Sequence, residues 1–594
     1  MTILQALDRY YDRMARRGEA PPLGYVAQQV KGEILLSPAG EVVALHALGD
    51  DSRGGKNAFV PEPITEPSAR TSQAVVPYFL ADNPSYILGR KQGDARVQRK
   101  FESSASFHAK LLSDTTDPAL QALLSYFQRY LSESDRAWNL PFQDGVVVFR
   151  LDGQHEYLHE KPDAQKRWAA YLAGLPLDQA MCLVSGQESG ITRLHYKVNG
   201  FRDADSLVSF NLESSRSYGK DQGDNAPTSK TAAFRYGAAL NRMLERSGRN
   251  RLKGSVGDAT VVFWADAENE ECANAAELAF SSIFEPIEGS GTGGDEQLPR
   301  DLDEAARLRD ALQDFAAGRT VAAPTLQLAR GVRFHVLGLS PNAARLSVRF
   351  WVSDSFDAFA MRLAEHAADL TIDPKPWRNG SPPSVQRLLA KTTALQEKSD
   401  NIPPLLVGEV TRAVLTGAPY PRTLMSAALM RLRAGDDPAS GWHAAAIRAV
   451  LARLNRFGFE SEEPPMALDP DNPNVAYQLG RLFAVYERAQ ETALGNVNAT
   501  IRDKYYGAAS ATPALVFPLI DRGAQNHLAK VRKDKPGLSH WYEQTIGEIV
   551  NKIDRDFPRS LKLEDQGRFA LGYYHQRFAK SDKTQSSVPQ EGQD

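Results

Sequence analysis

Residues 334–370, FHVLGLSPNAARLSVRFWVSDSFDAFAMRLAEHAADL, carry the decision about the fold. FHVLGLS and ARLSVRFWV are short runs rich in apolar and aromatic residues, so they read as the two strands of a hairpin, with Pro341-Asn342 in the turn between them. From about residue 355 the apolar positions recur three and four apart instead, which is the helical period. Upstream of the switch, VVVFRL (146–151), MCLV (181–184), LVSFNL (207–212) and TVVFWA (260–265) read as further strands, with a helical stretch at 229–247 between the last two. GEILLSPAGEVVAL (32–45) reads as two strands around a Ser37-Pro38-Ala39-Gly40 turn. Ile3, Leu4, Leu7, Tyr10, Tyr11 and Met14 mark the buried face of an opening helix, 101–137 reads as helical, and 47–75 reads as a loop. Downstream of the switch helices dominate. Pro464-Pro465 interrupts them, and a final block over 472–580 shows one stripe of Val475, Leu479, Leu482, Phe483, Tyr486 and Ala489.

These patterns predict an α+β protein: an N-terminal mixed α/β body with antiparallel strands, then a C-terminal all-α bundle. The expected division is 1–140, 141–355, a helical connecting region 356–465 and a C-terminal bundle 466–594. Gly289–Glu296 reads as an acidic linker and 580–594 as a disordered polar tail.

The 594 residues hold 70 Lys and Arg against 73 Asp and Glu, a net charge of −3, with 42% hydrophobic residues. These values exclude fibres and wholly disordered chains and allow two to four domains. No run of 18 apolar residues exists, so no membrane-spanning helix is expected. Two cysteines, Cys182 and Cys272, exclude a disulfide framework and a cysteine-rich zinc site, and they fit a cytoplasmic protein.

Two kinds of motif compete for the function. His155-Glu156-Tyr157-Leu158-His159 matches H-E-x-x-H, the pattern of a zinc peptidase with Glu156 as base. Its context argues against that reading, because Gly153 and Pro162 leave room for about two helical turns and no third ligand stands out. There is no phosphate loop of the G-x-x-x-x-G-K-[ST] type and no G-x-S-x-G elbow. The alternative is a nucleic-acid surface. Cations cluster in 90–100, in 230–253 and in 502–535, although the chain as a whole is slightly acidic, so the charge is segregated. Amides and aromatics lie beside the first two clusters: Asn83 and Tyr86, then Tyr218, Gln222 and Asn225. Amides read base edges, and rings stack on unpaired bases. The competing reading makes Tyr86 a core residue, Asn83 a turn residue, and the charges a solvated face. His195 and His335, each between apolar strand residues, read as structural.

Several strings, in order, resemble the large subunit of the subtype I-C CRISPR Cascade effector complex, and the likeness runs nearly end to end. They are MTILQALDRYYDRM at the start, Arg70-Thr71-Ser72, PYFLADN (77–83) with Tyr86, Leu88 and Gly89, and Arg193-Leu194-His195. LVSFN (207–211), Ser217-Tyr218-Gly219, Gln222-Gly223, Asn225-Ala226-Pro227, Gly257-Asp258 and Phe263-Trp264 follow. FHVLGLSPN (334–342), SVRFW (347–351), AYQLGRLFA (476–484) and NATIRDKYYG (498–507) complete the series. One departure stands out: relatives often carry a Gly and a Lys between the Arg-Thr-Ser and Pro-x-Phe-Leu elements, where this chain has Gln73 and Val76.

The resemblance implies a non-enzymatic protein without cofactor or metal. It would sit in a guide-RNA-bound complex, recognise the protospacer-adjacent motif (PAM) in duplex DNA, aid unwinding and R-loop formation, and hold the displaced strand. It would recruit a helicase–nuclease and contact the backbone, guide-processing and small subunits. On that basis Arg70, Ser72, Gln73, Asn83, Arg90, Lys91, Arg96, Arg99 and Lys100 are expected on the PAM side. Tyr218, Lys220, Gln222, Asn225, Arg235 and Arg242 form a second patch for DNA or guide. Arg502, Lys504, Lys530, Arg532, Lys533 and Lys535 are expected along the displaced strand. The small subunit in this subtype is made from an internal start, and Met466, between Pro464-Pro465 and the last helical block, is the candidate.

Overall fold

The computed structural model describes residues 1–48, 56–61, 75–90, 94–131, 141, 145–175, 177–201, 206–210, 212–245, 248–252, 255–284, 329–343, 345–377, 383, 385–394, 401–495, 499–553 and 556–579. Packing divides the chain into two units. One is Met1–Gly248 with Pro341–Ser347, and the other is Arg249–Ser340 with Val348–Asp594.

The first unit opens with helix α1 (Ile3–Arg16), started by a capping box of Thr2 and Gln5 that satisfies two end N–H groups, and it buries Leu7, Tyr10 and Met14. A mixed sheet follows. Its long strand β1 (Tyr25–Leu36) pairs antiparallel with β2 (Val42–Ala47) and β3 (Lys56–Pro61) and parallel with β5 (Val146–Leu151). The two-residue β4 (Ala81–Asp82) adds antiparallel to β5. The register sets Ile34 beside Leu45 on one side and Phe149 on the other. After the short α2 (Pro84–Ile87), helices α3 (Val97–Leu112), α4 (Pro118–Leu131) and α5 (Pro162–Ala173) close a core that includes Ile34, Phe79, Phe101, Leu123, Tyr126, Phe149 and Trp168. The small hairpin of β6 (Gln179–Met181) and β7 (Glu188–Gly190) leads, through irregular chain, to α6 (Lys230–Leu244). Helix α6 packs on α1.

In the second unit, strands β8 (Thr260–Asp266), β9 (Arg333–Asn342) and β10 (Arg345–Ser355) form a sheet ordered β10-β9-β8. Its β8–β9 pairing is antiparallel, with Trp264 opposite His335. Helices α7 (Glu270–Phe284) and α8 (Phe356–Leu370) join this sheet around Phe263, Phe280, Phe334, Phe356 and Phe359. The helical remainder comprises α9 (Val385–Lys391), α10 (Pro404–Thr416), α11 (Arg422–Arg433), α12 (Trp442–Arg456) and α13 (Val475–Leu494). It ends with α14 (Ile501–Ala511), α15 (Pro513–Asp534), α16 (Pro536–Val550) and α17 (Leu563–Arg577).

One core runs through this remainder from Leu363 to Tyr574. Helices α13 and α17 touch backbone to backbone. A Cβ on Gly480 would stand 1.9 Å from the Phe569 carbonyl oxygen, and one on Gly572 would stand 2.0 Å from that of Tyr477. Gly567 brings α17 against the Ile447 side chain of α12, where a Cβ would stand 2.9 Å from Cγ2. The chain is therefore α+β, with a helical C-terminal region.

Four local expectations need correction. LVSFNL forms no strand among the described residues: Ser206, just before it, makes isolated bridges to Lys197 and to Arg345 at the start of β10, but the pairing is not continued, and Leu212 is exposed. MCLV contributes only Met181 to β6; Cys182 to Val184 turn, and Cys182 caps the approach to α6 by accepting from Ser229 N at 3.2 Å. The stretch read as loop at 47–75 contains β3, which pairs with β1 from Tyr25 to Val30. Pro341 and Asn342 end β9 rather than forming the turn, which falls at Ala343 in a left-handed conformation (φ 51°).

Candidate nucleic-acid interface

On the PAM-side segment, Arg70, Ser72, Gln73 and Lys91 lie outside the described residues. Asn83 caps α2, its Oδ1 accepting from Ser85 N at 3.1 Å and Ser85 Oγ at 2.5 Å. Tyr86 is core. Lys100 turns inward, pairing with Asp94 and lying 5.4 Å over the Tyr86 ring. Its ammonium holds the Asp94 carboxyl below the usual carboxylate range. Arg96 also leans on Asp94, at 3.8 Å. Arg90 and Arg99 differ. Arg99 is exposed, Arg90 is half-buried, and neither side chain has an ion-pair partner among the described residues. The cations here thus divide into a clamp (Lys100, Arg96) and an available pair (Arg90, Arg99).

The second patch divides in the same way. Arg235 is spent on the fold: its guanidinium reaches Asp8 at 2.7 Å and Asp12 at 2.6 Å and stacks 5.1 Å over the Tyr11 ring, fastening α6 to α1. Burial raises the Asp8 carboxyl above its ordinary value in spite of that neighbour. Arg242 pairs with Glu245 on its own helix. Tyr218, Lys220, Gln222 and Asn225 belong to a short loop, 216–225, held by hydrogen bonds within itself and by one from Arg193. Asn225 Nδ2 donates to the carbonyls of Lys220 (3.2 Å) and Gln222 (3.1 Å), and Gln222 Oε1 accepts from Arg193 at 2.7 Å. Tyr218 is 99% exposed.

In the C-terminal segment, Arg502 is committed to Asp437 at 2.8 Å, with Glu487 and Asp503 at 3.8 Å. Arg532 is held by Glu543 at 2.6 Å, and Lys504 lies over the Tyr505 ring. Lys530, Lys533 and Lys535 are exposed and unpaired among the described residues. Helix α15 extends that set beyond the residues expected from the sequence. Arg522, Gln525 and Asn526 are exposed on the same helix. The steps from 522 to 526, 530 and 533 are four, four and three, so Arg522, Asn526, Lys530 and Lys533 share one face. The opposite face buries Val516, Ile520, Ala524, Leu528 and Val531. Applying the helical period to the polar side chains as well as the apolar ones would have found Arg522 and Asn526. His527 lies beside this row, and burial together with Lys530 lowers its pKa below the usual imidazole value. The arrangement is a row of cations and amides along about three turns of helix, suited to consecutive phosphates.

The H-E-x-x-H string does not form a metal site. Leu158–Glu160 is a single 3₁₀ turn, not an α-helix that would set both imidazoles on one face. His155 is exposed, while His159 is buried, stacked on Tyr157, and held neutral with its pKa lowered to about 4 by burial. Glu156 faces Lys161 at 3.7 Å. No cluster of three His, Cys, Asp or Glu able to hold a metal occurs among the described residues. Of the two histidines read as structural, His195 bonds Tyr236 Oη at 2.5 Å and His335 stacks on Trp351. No helix among the described residues is long and apolar enough to cross a membrane.

The described residues thus present a mixed N-terminal α/β body, a large helical C-terminal region and a set of exposed cations. Comparison with family models gives the particular family. The model described as CRISPR-associated protein (Cas_Csd1) matches residues 7–580, and the chain belongs to that family, as a Cascade-associated large subunit. No match was found among curated proteins.

Proposed function

We propose that this chain is the non-catalytic large subunit of a subtype I-C Cascade complex, which recognises the PAM in duplex DNA, aids R-loop formation, holds the displaced strand and recruits the helicase–nuclease. Family membership over nearly the whole length supports the setting. The observation that carries the DNA-handling part is the exposed row Arg522, Asn526, Lys530 and Lys533 on α15. The physics fits such a protein. Guide pairing supplies most of the sequence discrimination, and strand exchange is close to balanced, so a few phosphate contacts decide whether the open state persists. Arg90 and Arg99 are the available cations for the PAM-side duplex, and Asn83 and Gln73 are the amides assigned to base edges. The partners of this reading are guide RNA, target duplex and displaced strand, the backbone and guide-processing subunits, a small subunit and the helicase–nuclease, in the cytoplasm.

The decisive experiment compares guide-loaded complexes with and without this chain for binding of foreign duplex. Loss of binding on omission is expected; equal binding would overturn the reading. For PAM reading, a PAM-library assay of Asn83→Ala and Gln73→Ala is expected to relax preference in at least one, and unchanged preference in both would move the reading site elsewhere.

We assign residues 466–594 a second existence as the small subunit, started at Met466. Helices α13 to α17 all fall within it, and Met466 is half-exposed in the chain that links them to α12. In the full chain their core continues into α12 through Gly567 and Ile447, so the short product would present that apolar face to a neighbour. Replacing the Met466 codon is expected to remove the short product from purified complex; an undiminished product would reject the assignment.

A further inference from the structure

Tyr218 sits where a tyrosine is least expected. Ser217 and Lys220 pair across a two-residue turn, with Lys220 N donating to Ser217 O at 2.9 Å. The two central residues, Tyr218 and Gly219, both have positive φ, at 52° and 72°. That is the turn geometry for which Asn-Gly or Gly-Gly is preferred, because a side chain at the first position crowds its own backbone. Gln222, four residues on, is also left-handed at φ 45°. Two strained non-glycine residues so close together persist only where their surroundings fix them.

The surroundings do so here. Arg216 pairs with Asp221 at 2.9 Å across the turn. Asn225 ties the carbonyls of Lys220 and Gln222, and Arg193 holds Gln222. Gly223 lies so close to the Thr192 carbonyl oxygen that a Cβ would stand 2.3 Å from it. Arg193 and the close approach to Thr192 fasten the loop to the body, and the other contacts brace it internally; none engages the Tyr218 ring, which is 99% exposed.

The neighbours indicate what the ring is for. Residues 216–225, RSYGKDQGDN, contain no other apolar side chain. A ring that anchors a protein partner sits in an apolar surround that excludes water. A nucleobase asks less: it stacks on an open ring face, whatever its identity, while its edges stay with polar groups and its phosphates with cations. Lys220, two residues away, is exposed, and its ammonium has no ion-pair partner among the described residues. We propose that Tyr218 is a rigidly mounted stacking platform for one unpaired nucleobase, the unpaired base coming from the guide end or from an opened DNA strand. The proposal rests on the nucleic-acid reading above and deepens it.

The test uses the assembled, guide-loaded complex with 2-aminopurine placed at successive positions, first in the guide and then in each strand of the target duplex. Wild type and Tyr218→Phe are expected to quench one position, and Tyr218→Ala is expected to restore its fluorescence. A quenched position seen without DNA assigns the guide, whereas one seen only after target binding assigns the opened duplex. Tyr218→Ala is further expected to weaken binding of a single-stranded 2-aminopurine oligonucleotide about 5- to 150-fold, the range that stacking energies span. The slope of log affinity against log salt stays unchanged, because no charge is lost. Tyr218→Gly relieves the strained φ, so it raises thermal stability while losing the quench, which a merely structural tyrosine would not do. No position responding to Tyr218→Ala, in a complex whose duplex binding does depend on this chain, overturns this inference alone. Failure of Tyr218→Ala to enter the complex would also overturn it, in favour of a protein contact. Duplex binding that is indifferent to the whole chain would instead overturn the function on which it rests.

Discussion

The basic stretches 230–253 and 502–535 look alike as sequence, yet folding uses their cations differently. In the first, Arg235 reaches across to α1 and is consumed by Asp8 and Asp12, and Arg242 by Glu245. In the second, Arg502 and Arg532 are consumed as well, but Arg522, Lys530, Lys533 and Lys535 stand exposed and unpaired among the described residues. A charge run reports how many cations a segment has; the acids that other elements bring to it decide how many remain for a polyanion.

The comparison breaks most visibly at α15. Reversing Arg522→Glu, Lys530→Glu and Lys533→Glu together is expected to weaken duplex binding by the complex roughly 10- to 100-fold, since three phosphate contacts become repulsions. Thermal stability should hold, because all three side chains are exposed and unpaired. A gel-shift titration alongside a melting curve checks both. Next in size is Arg235→Ala, which removes the tie between α1 and α6 and leaves Asp8 and Asp12 facing each other. It should cost about 1–3 kcal/mol of stability, lowering Tm by roughly 2–10 °C, with DNA affinity of the folded protein unchanged. Lost affinity at preserved Tm would put Arg235 on the binding surface and erase the contrast.

The smallest effect belongs to His527. Its folded pKa lies below the unfolded value, so the free chain loses stability as pH falls through that folded value, while a nearby phosphate favours the charged form. Affinity for duplex should therefore rise about two- to threefold between pH 7.5 and pH 5.5, and His527→Gln should flatten that rise. A rise of equal size in the variant would place the titrating group elsewhere.

How much could be read in advance follows from the same physics. The hairpin at 334–352 and the strand 146–151 were legible from their runs of β-branched and aromatic residues, which are largely buried in β5 and β9, and the helices from 355 onward because their apolar positions recur at the helical period. LVSFNL has the same apolar and aromatic composition, yet it forms no strand among the described residues: Ser206 beside it bridges Arg345 of β10, and that pairing is not continued. The H-E-x-x-H string failed for a reason already visible locally, the short span between Gly153 and Pro162. The fates of Arg235 and Arg502 were not visible, since Asp8 and Asp437 lie far away in sequence and only folding brings them near. Tyr218 was noticed as an aromatic beside a basic run, but its left-handed backbone and open ring emerge only from the turn that holds it.

The central claim is that the unpaired cations of α15 grip DNA phosphates. It is tested most directly by the salt dependence of duplex binding to the assembled complex, wild type against Arg522→Ala, Lys530→Ala and Lys533→Ala combined. Each lost phosphate contact should reduce the slope of log affinity against log salt by about 0.7–0.9, so the triple variant should be shallower by roughly 2–3. Identical slopes for the two proteins would mean that no phosphate sits on this helix, and would contradict the account.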